Sequence, residues 1–165
     1  MTPIEYIPIM MDYYRSQGLG EYPIYKPEGQ PWITLKKPLR ECRIALVCSA
    51  GISRRDQVSF QCKGHDDLSF REIPTSTAAQ DLVINYEYFD HSDADRDINC
   101  VLPLDRLREL EEEGFIAAFC PTFYSMGIGR WLDPNTPEKL QREVAVELAG
   151  RCKLQEADAV LLVPT

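Results

Sequence analysis

The sequence predicts an α/β fold: a three-layer, Rossmann-like domain with a mainly parallel sheet over residues 41–165, preceded by an extended N-terminal arm over residues 1–40. Three stretches predict it. Arg43–Cys48 (RIALVC) is a short aliphatic run of the kind buried on both faces of a parallel sheet, and Ser49-Ala50-Gly51 stops it. Pro103 to Gly114 reads as a one-sided helix that turns straight into the apolar run Phe115–Phe119. Asn135 to Cys152 reads as a second helix, leading into the buried strand Asp158–Thr165. Strands alternating with helices in this order build a sheet with crossover connections.

The elements justify themselves in order. Glu5–Gln17 is a short helix ended by Gly18-Leu19-Gly20, and the next segment holds four prolines between Glu21 and Cys42. That density favours an extended path, with Trp32, Ile33 and Leu35 as anchors and the arm covering a partner or a sister subunit. Beyond the Arg43–Cys48 strand, Cys48, Ser49, Ala50 and Gly51 stand at a carboxyl end, where ligands of open parallel sheets collect. A plain tight turn reads equally well there. Residues 52–79 are polar and irregular. Cys62-x-x-His65 is half a zinc site, which Cys42 and Cys48 could in principle complete, but a strand between those two turns alternate side chains to different faces, so no metal is expected. Ser69–Pro74 and Ala79–Tyr86 are extended pieces.

Asp90, His91, Asp93, Asp95 and Asp97 form an acidic loop. Counted from Asp93, Ile98 and Leu104 stand where an EF-hand needs Gly and Glu, so the carboxylates are assigned to capping turns and pairing with Arg96. His91 is a candidate general acid or base, or else a solvated loop histidine. In the following helix Leu104, Leu107 and Leu110 recur at helical spacing, Pro103 sits in the first turn and Gly114 takes the left-handed end. Cys120 then ends a strand as Cys48 does, so both thiols are expected at one sheet edge with the hydroxyls of Tyr124 and Ser125 beside them. Asn135, Pro137 and Glu138 start the second helix, with Leu140, Val144, Leu148 and Cys152 along one face.

At 165 residues, with 44% hydrophobic and 27% charged residues, the chain is one ordinary globular domain long. A formal charge of −8 argues against nucleic acid and against an anionic membrane surface. No run approaches the roughly 20 apolar residues that cross a bilayer, and no basic leader precedes an apolar segment, so the chain reads as cytoplasmic, with six cysteines as mostly buried free thiols.

The run Asp90-His91-Ser92-Asp93-Ala94-Asp95-Arg96-Asp97-Ile98-Asn99, followed by Pro103-Leu104-Asp105-Arg106-Leu107-Arg108-Glu109-Leu110 and Glu113-Gly114, resembles the selenoprotein B family of glycine, sarcosine, betaine and D-proline reductases. Trp32 with Leu35, Ala45-Leu46-Val47 leading to Ala50-Gly51, Arg71-Glu72-Ile73-Pro74, Tyr124-Ser125-Met126-Gly127 and Asp158–Leu162 agree with it in order. Cys48 and Cys100 stand where that pattern has Thr and Val, and the loop at Thr122 and Phe123 lacks its Arg-His.

The resemblance implies reductive cleavage of a carbon–heteroatom bond in a small amino acid or amine. A selenolate is the nucleophile, a nearby cysteine resolves it, and a pyruvoyl group on a partner subunit activates the substrate; no cofactor is expected in this chain. The partners implied are other reductase subunits in a hetero- or homo-oligomer. In that family a selenocysteine-x-x-cysteine motif follows the last strand almost at once, whereas the last residue here is Thr165, so the expectation is a chain truncated at its C-terminus and inactive alone. The candidate catalytic residues are Cys48, Cys120 and His91, and the candidate substrate-binding residues Ser49, Gly51, Tyr124, Ser125 and Thr165. Cys48 and Cys120 could replace the missing pair only with Cα atoms about 4.4–6.8 Å apart. Two other readings stand beside this one: a non-catalytic binding subunit, and a thiol enzyme using Cys48 or Cys120.

Overall fold

The structure is a computed structural model, and it describes residues 4–18, 21, 29, 33–61, 66–86, 90–127, 133 and 135–165. The chain divides into two compact units, Met1–Pro31 and Trp32–Thr165. In the first, Tyr6–Ser16 forms helix α1, as its sequence predicts, and carries no buried residue. Arg15 in its last turn pairs with Asp12 at 3.1 Å and Glu21 at 2.9 Å.

The second unit is α/β. Its strands are β1 (Arg43–Cys48), β2 (Ile52–Arg54), β3 (Phe70–Pro74), β4 (Leu82–Ile84), β5 (Ala118–Phe119), β6 (Thr122–Met126) and β7 (Ala159–Val163). Its helices are α2 (Ser92–Arg96), α3 (Leu104–Glu112), α4 (Thr136–Lys139) and α5 (Ala145–Leu154), the last two joined by a π-helical stretch, Leu140–Val144. β1 lies between β5 and β6 on one side and β7 on the other, all parallel to it, and β3 pairs antiparallel with β6. β2 and β4 form a separate antiparallel pair.

Alternation along β1 divides the core. Ile44, Leu46 and Cys48 pack with Leu104 and Leu107 of α3, whereas Ala45 and Val47 pack with Leu148 and Cys152 of α5. Each leucine buried in this way stabilises the fold by about 1.5–3 kcal/mol. Leu140 and Val144 lean on the α5 side, so the four-residue stripe of the second helix survives the π-helical stretch. No described helix is long and apolar enough to cross a membrane.

Three expectations are corrected. Ile33 and Leu35 do not anchor the approach to β1, being 84% and 43% exposed; Cys42, fully buried with its thiol donating to Pro38 O at 3.3 Å, fixes the chain instead. Trp32 lies outside the described residues. The strand expected over Phe115–Phe119 shrinks to Ala118–Phe119. Its first residues complete the end of α3: Gly114 at φ +74° donates to Glu111 O, and the Phe115 and Ile116 amides donate to Leu110 O, leaving those amides unable to join a ladder. Finally, residues 52–79, read as irregular, contain β2, and Ser69–Pro74 contributes β3 to the main sheet.

Candidate active site

The carboxyl ends of β1, β6 and β7 meet at one edge of the sheet. Cys48 is in register with Ser125 on one side and with Val163 on the other. Fully buried Ser125 accepts the Ile52 amide at 2.7 Å through its hydroxyl oxygen and hydrogen-bonds the Cys48 thiol. Burial pushes the Cys48 thiol up to about 11, against the hydrogen bonds from Ser125 and the Ala50 backbone. Next in the chain, Ser49 is half-buried; its amide donates to Val163 O at 3.1 Å and its hydroxyl oxygen accepts the Thr165 amide at 3.0 Å. The helix after β6 crosses β1 to reach β7, so the crevice between β1 and β7 lies where successive connections run in opposite directions, the usual ligand position in open sheets.

Gly51 turns the chain out of this edge. Its φ is +61°, its amide donates to Met126 O at 3.0 Å, and its carbonyl accepts the Asn85 amide at 2.9 Å. A Cβ there would lie 3.1 Å from Tyr86 Cβ, so only glycine fits without strain. The Ser49 and Gly51 amides are both engaged in the fold, and the Ser49 hydroxyl and the Thr165 amide meet at this edge.

The other candidates lie elsewhere. Cys120 does not share an edge with Cys48. Its amide donates to Ile44 O at 2.9 Å, placing it beside the start of β1, and it packs with Ala45 and Cys152 on the opposite face of the sheet from Cys48. Three residues of strand rise separate the two along β1, roughly 10 Å, beyond disulfide reach. The reason is a break at Cys120-Pro121, where the four residues Cys120 to Phe123 face the two residues Ala45 and Leu46. Burial pushes the Cys120 thiol up to about 11 as well. Tyr124 faces the α5 side, where its hydroxyl accepts Gln155 Nε2 at 2.9 Å and its ring meets Phe70 edge-on, so it serves packing rather than the crevice. His91 stands before α2 with Nδ1 2.9 Å from Asp95 Oδ2. Cys62 and His65, the half zinc site, lie outside the described residues, and no group of metal-binding side chains forms among the rest.

The acidic run behaves as its capping chemistry predicts. Asp90 accepts the Ser92 amide at 3.0 Å, Arg96 pairs with Asp93 at 2.7 Å, and Asp97 accepts the Asn99 amide at 3.0 Å. Asn99 then clamps the start of α3: its side-chain oxygen accepts the Asp105 amide at 3.0 Å and its Nδ2 donates to Asp105 at 2.9 Å. Arg108 pairs with Asp105 at 2.6 Å and reaches the carbonyls of Thr75 and Thr77. Sequence reasoning missed Asn99 and Arg108 as a unit, and missed Asn85, whose side-chain oxygen receives Ser53 Oγ at 2.7 Å beneath β2. A cap six residues upstream of the amide it serves leaves no pattern that periodicity detects.

Comparison with known proteins agrees with this arrangement of motifs. The family described as glycine/sarcosine/betaine reductase selenoprotein B matches residues 18–165. The chain is 35% identical over 155 residues to the D-proline reductase subunit gamma of Acetoanaerobium sticklandii, covering 93% of this chain and 61% of that protein. It is 30% identical over 157 residues to the glycine reductase complex component B subunit gamma of Symbiobacterium thermophilum, covering 88% of this chain and 33% of that protein. The chain thus spans less than two thirds of either relative. No solved structure matches it.

Proposed function

The chain belongs to the glycine/sarcosine/betaine reductase selenoprotein B family, and from that premise we propose that it forms the substrate-facing sheet edge of a reductase subunit cleaving a carbon–heteroatom bond of a small amino acid or amine. In balanced form, a C–N bond breaks, a C–H and an N–H bond form, and a dithiol supplies the two electrons and two protons as it becomes a disulfide. D-proline is the first substrate to test, because the relative with the higher identity is named for it. The single observation carrying the reading is the meeting of Ser49 and Thr165 at the β1–β7 crevice.

On this reading the nucleophile is a selenolate, ionised at neutral pH as a low-pKa thiolate is, and it comes from outside these 165 residues. The described thiols support that division of labour. Cys48 and Cys120, both raised to about 11, hold very little thiolate at neutral pH. The three-layer, Rossmann-like description belongs to the same reading, supported by the α3 and α5 clusters on opposite faces of β1. So does a cytoplasmic location, in keeping with five free cysteines among the described residues. A pyruvoyl group is expected on a partner subunit of the hetero- or homo-oligomer, where it would supply the electron-withdrawing carbonyl; the contribution of this chain is the polar rim of Ser49 and Thr165.

The test has two parts. Natively expressed protein, purified with whatever subunits accompany it, should consume D-proline with a dithiol as reductant, while the 165-residue chain alone should not. The chain labelled with iodoacetamide at pH 7.5 and analysed by mass spectrometry should modify exposed Cys100 well before Cys42, Cys48, Cys120 and Cys152. Turnover by the chain alone, abolished by Cys48→Ala or Cys120→Ala, would sink the reading in favour of a thiol enzyme.

A further inference from the structure

Away from the crevice, a cleft of about 530 Å³ opens between β4, the turn Ala79–Asp81 and α2. That volume is in the range of small-ligand sites. Its floor is apolar, with Leu82, Ala94 and Ile98 all buried. Its polar lining is Arg55, Gln80, Asp95 and Arg96.

Arg96 has an ionic partner in Asp93 at 2.7 Å, and Asp95 has a hydrogen-bonding neighbour, His91 Nδ1 at 2.9 Å, but no Lys or Arg partner among the described residues. Arg55 differs. Its amide and its Nε donate to the carbonyls of Asp81 and Gln80, both at 2.9 Å, which fixes the guanidinium at the mouth, and among the described residues it forms no ion pair. Its neighbour Arg54, by contrast, is paired with Asp56. In a chain with 26 acidic and 18 basic residues, a positioned guanidinium whose two terminal nitrogens have no partner among the described residues is complementary to an anion from outside. Arg55 also lines an adjoining cleft, but that one carries Asp56 and Asp81 and has no apolar floor.

We propose that the cleft between β4 and α2 binds a small aliphatic monocarboxylate, its carboxylate received by the terminal nitrogens of Arg55 and its hydrocarbon part lying on Leu82, Ala94 and Ile98. Asp95 on the facing wall repels a second anionic group, which selects monocarboxylates over dicarboxylates. The inference goes beyond the reductase reading, and its test involves no turnover, so the two stand or fall separately.

The experiment is a titration of the ¹⁵N-labelled 165-residue chain with butyrate, with butyramide and succinate as controls. Butyrate should shift the amides of Gln80–Ile84 and Ala94–Arg96 saturably, and both controls should bind about tenfold more weakly or worse. Arg55→Gln should weaken butyrate by about tenfold, the scale of one charged hydrogen-bond pair. Arg55→Lys, which keeps the charge without the fork, should fall between and also covers the case of a Gln variant that fails to fold, as read by circular dichroism. Equal binding of butyrate and butyramide, unchanged affinity in both variants, or shifts confined to other residues would overturn the proposal.

Discussion

The strand-end crevice and the clamp at the start of α3 are built on opposite terms. Around Cys48 the parts are small, buried and without slack: Ser125 is fully buried, Gly51 holds a left-handed turn, and two of the amides serve the sheet. Around Asn99 the parts are polar side chains near water, each answering another through hydrogen bonds that solvent could partly replace. The richest sequence motif therefore lies in the region that orders a helix, and the strand-end residues announce themselves only as small residues closing an aliphatic run. A dense motif is not by itself a map of a reactive centre.

Substitutions that separate the two regions make this contrast quantitative. The largest effect is expected from Gly51→Val, which forces a β-branched residue to φ +61° against Tyr86 and should cost about 3 kcal/mol in chemical denaturation. Ser125→Ala comes next. It leaves the buried Ile52 amide without its acceptor and should cost about 2 kcal/mol. Asn99→Ala removes the helix cap together with the side-chain hydrogen bonds to Asp97 and Asp105, a loss of about 1 kcal/mol. If Asn99→Ala proved as damaging as Ser125→Ala, the contrast between buried and solvent-assisted construction would collapse.

The smallest effect within the neutral range is that of pH, and its sign differs between the regions. Asp105 and Asp97 are held below the usual carboxylate range, chiefly by hydrogen bonds from Asn99. Their contribution to stability is present above the ordinary Asp value near 3.9 and lost as pH falls through the lowered folded values. Cys48 is raised, so its contribution is complete below the ordinary thiol range near 8.5 and lost as pH rises through about 11. Thermal melts should therefore show the deficit of Asn99→Ala narrowing in acid, down to the pH-independent loss of its cap on the Asp105 amide. The deficit of Cys48→Ala should narrow only in alkali.

What the sequence disclosed follows from how local each signal is. Continuous aliphatic runs revealed β1 and the place of β7, and helical spacing of leucines revealed α3 and the stripe ending at Leu148 and Cys152, because each pattern is written within a dozen residues. Expected to be buried, β7 has no buried residue, because among the described residues only β1 pairs with it. Register is not local. The separation of Cys120 from Cys48 depends on extra residues at Cys120-Pro121, which show only when that strand is laid beside β1. β2 is three residues long, too short for any period, and the reach of Arg108 to Thr75 spans 33 positions of chain. Ser49, Gly51 and Ser125 were legible as strand-end residues, while the position of Tyr124 on the α5 side was fixed by parity across the same break.

The outer strand β7 has a consequence for how the protein behaves in a tube. Among the described residues it pairs only with β1, and Val160, Leu161 and Leu162 are 42%, 39% and 69% exposed. An open apolar strand edge is a template for its own kind, and the charge of −8 is what keeps two copies apart at low ionic strength. Added salt shortens the reach of that repulsion to about 8 Å at physiological strength and strips away the barrier while leaving the edge intact. Colloidal behaviour of the 165-residue chain is thus governed by ionic strength and concentration before temperature, and a clear dilute solution can cloud on dialysis into buffered saline without any molecule having unfolded.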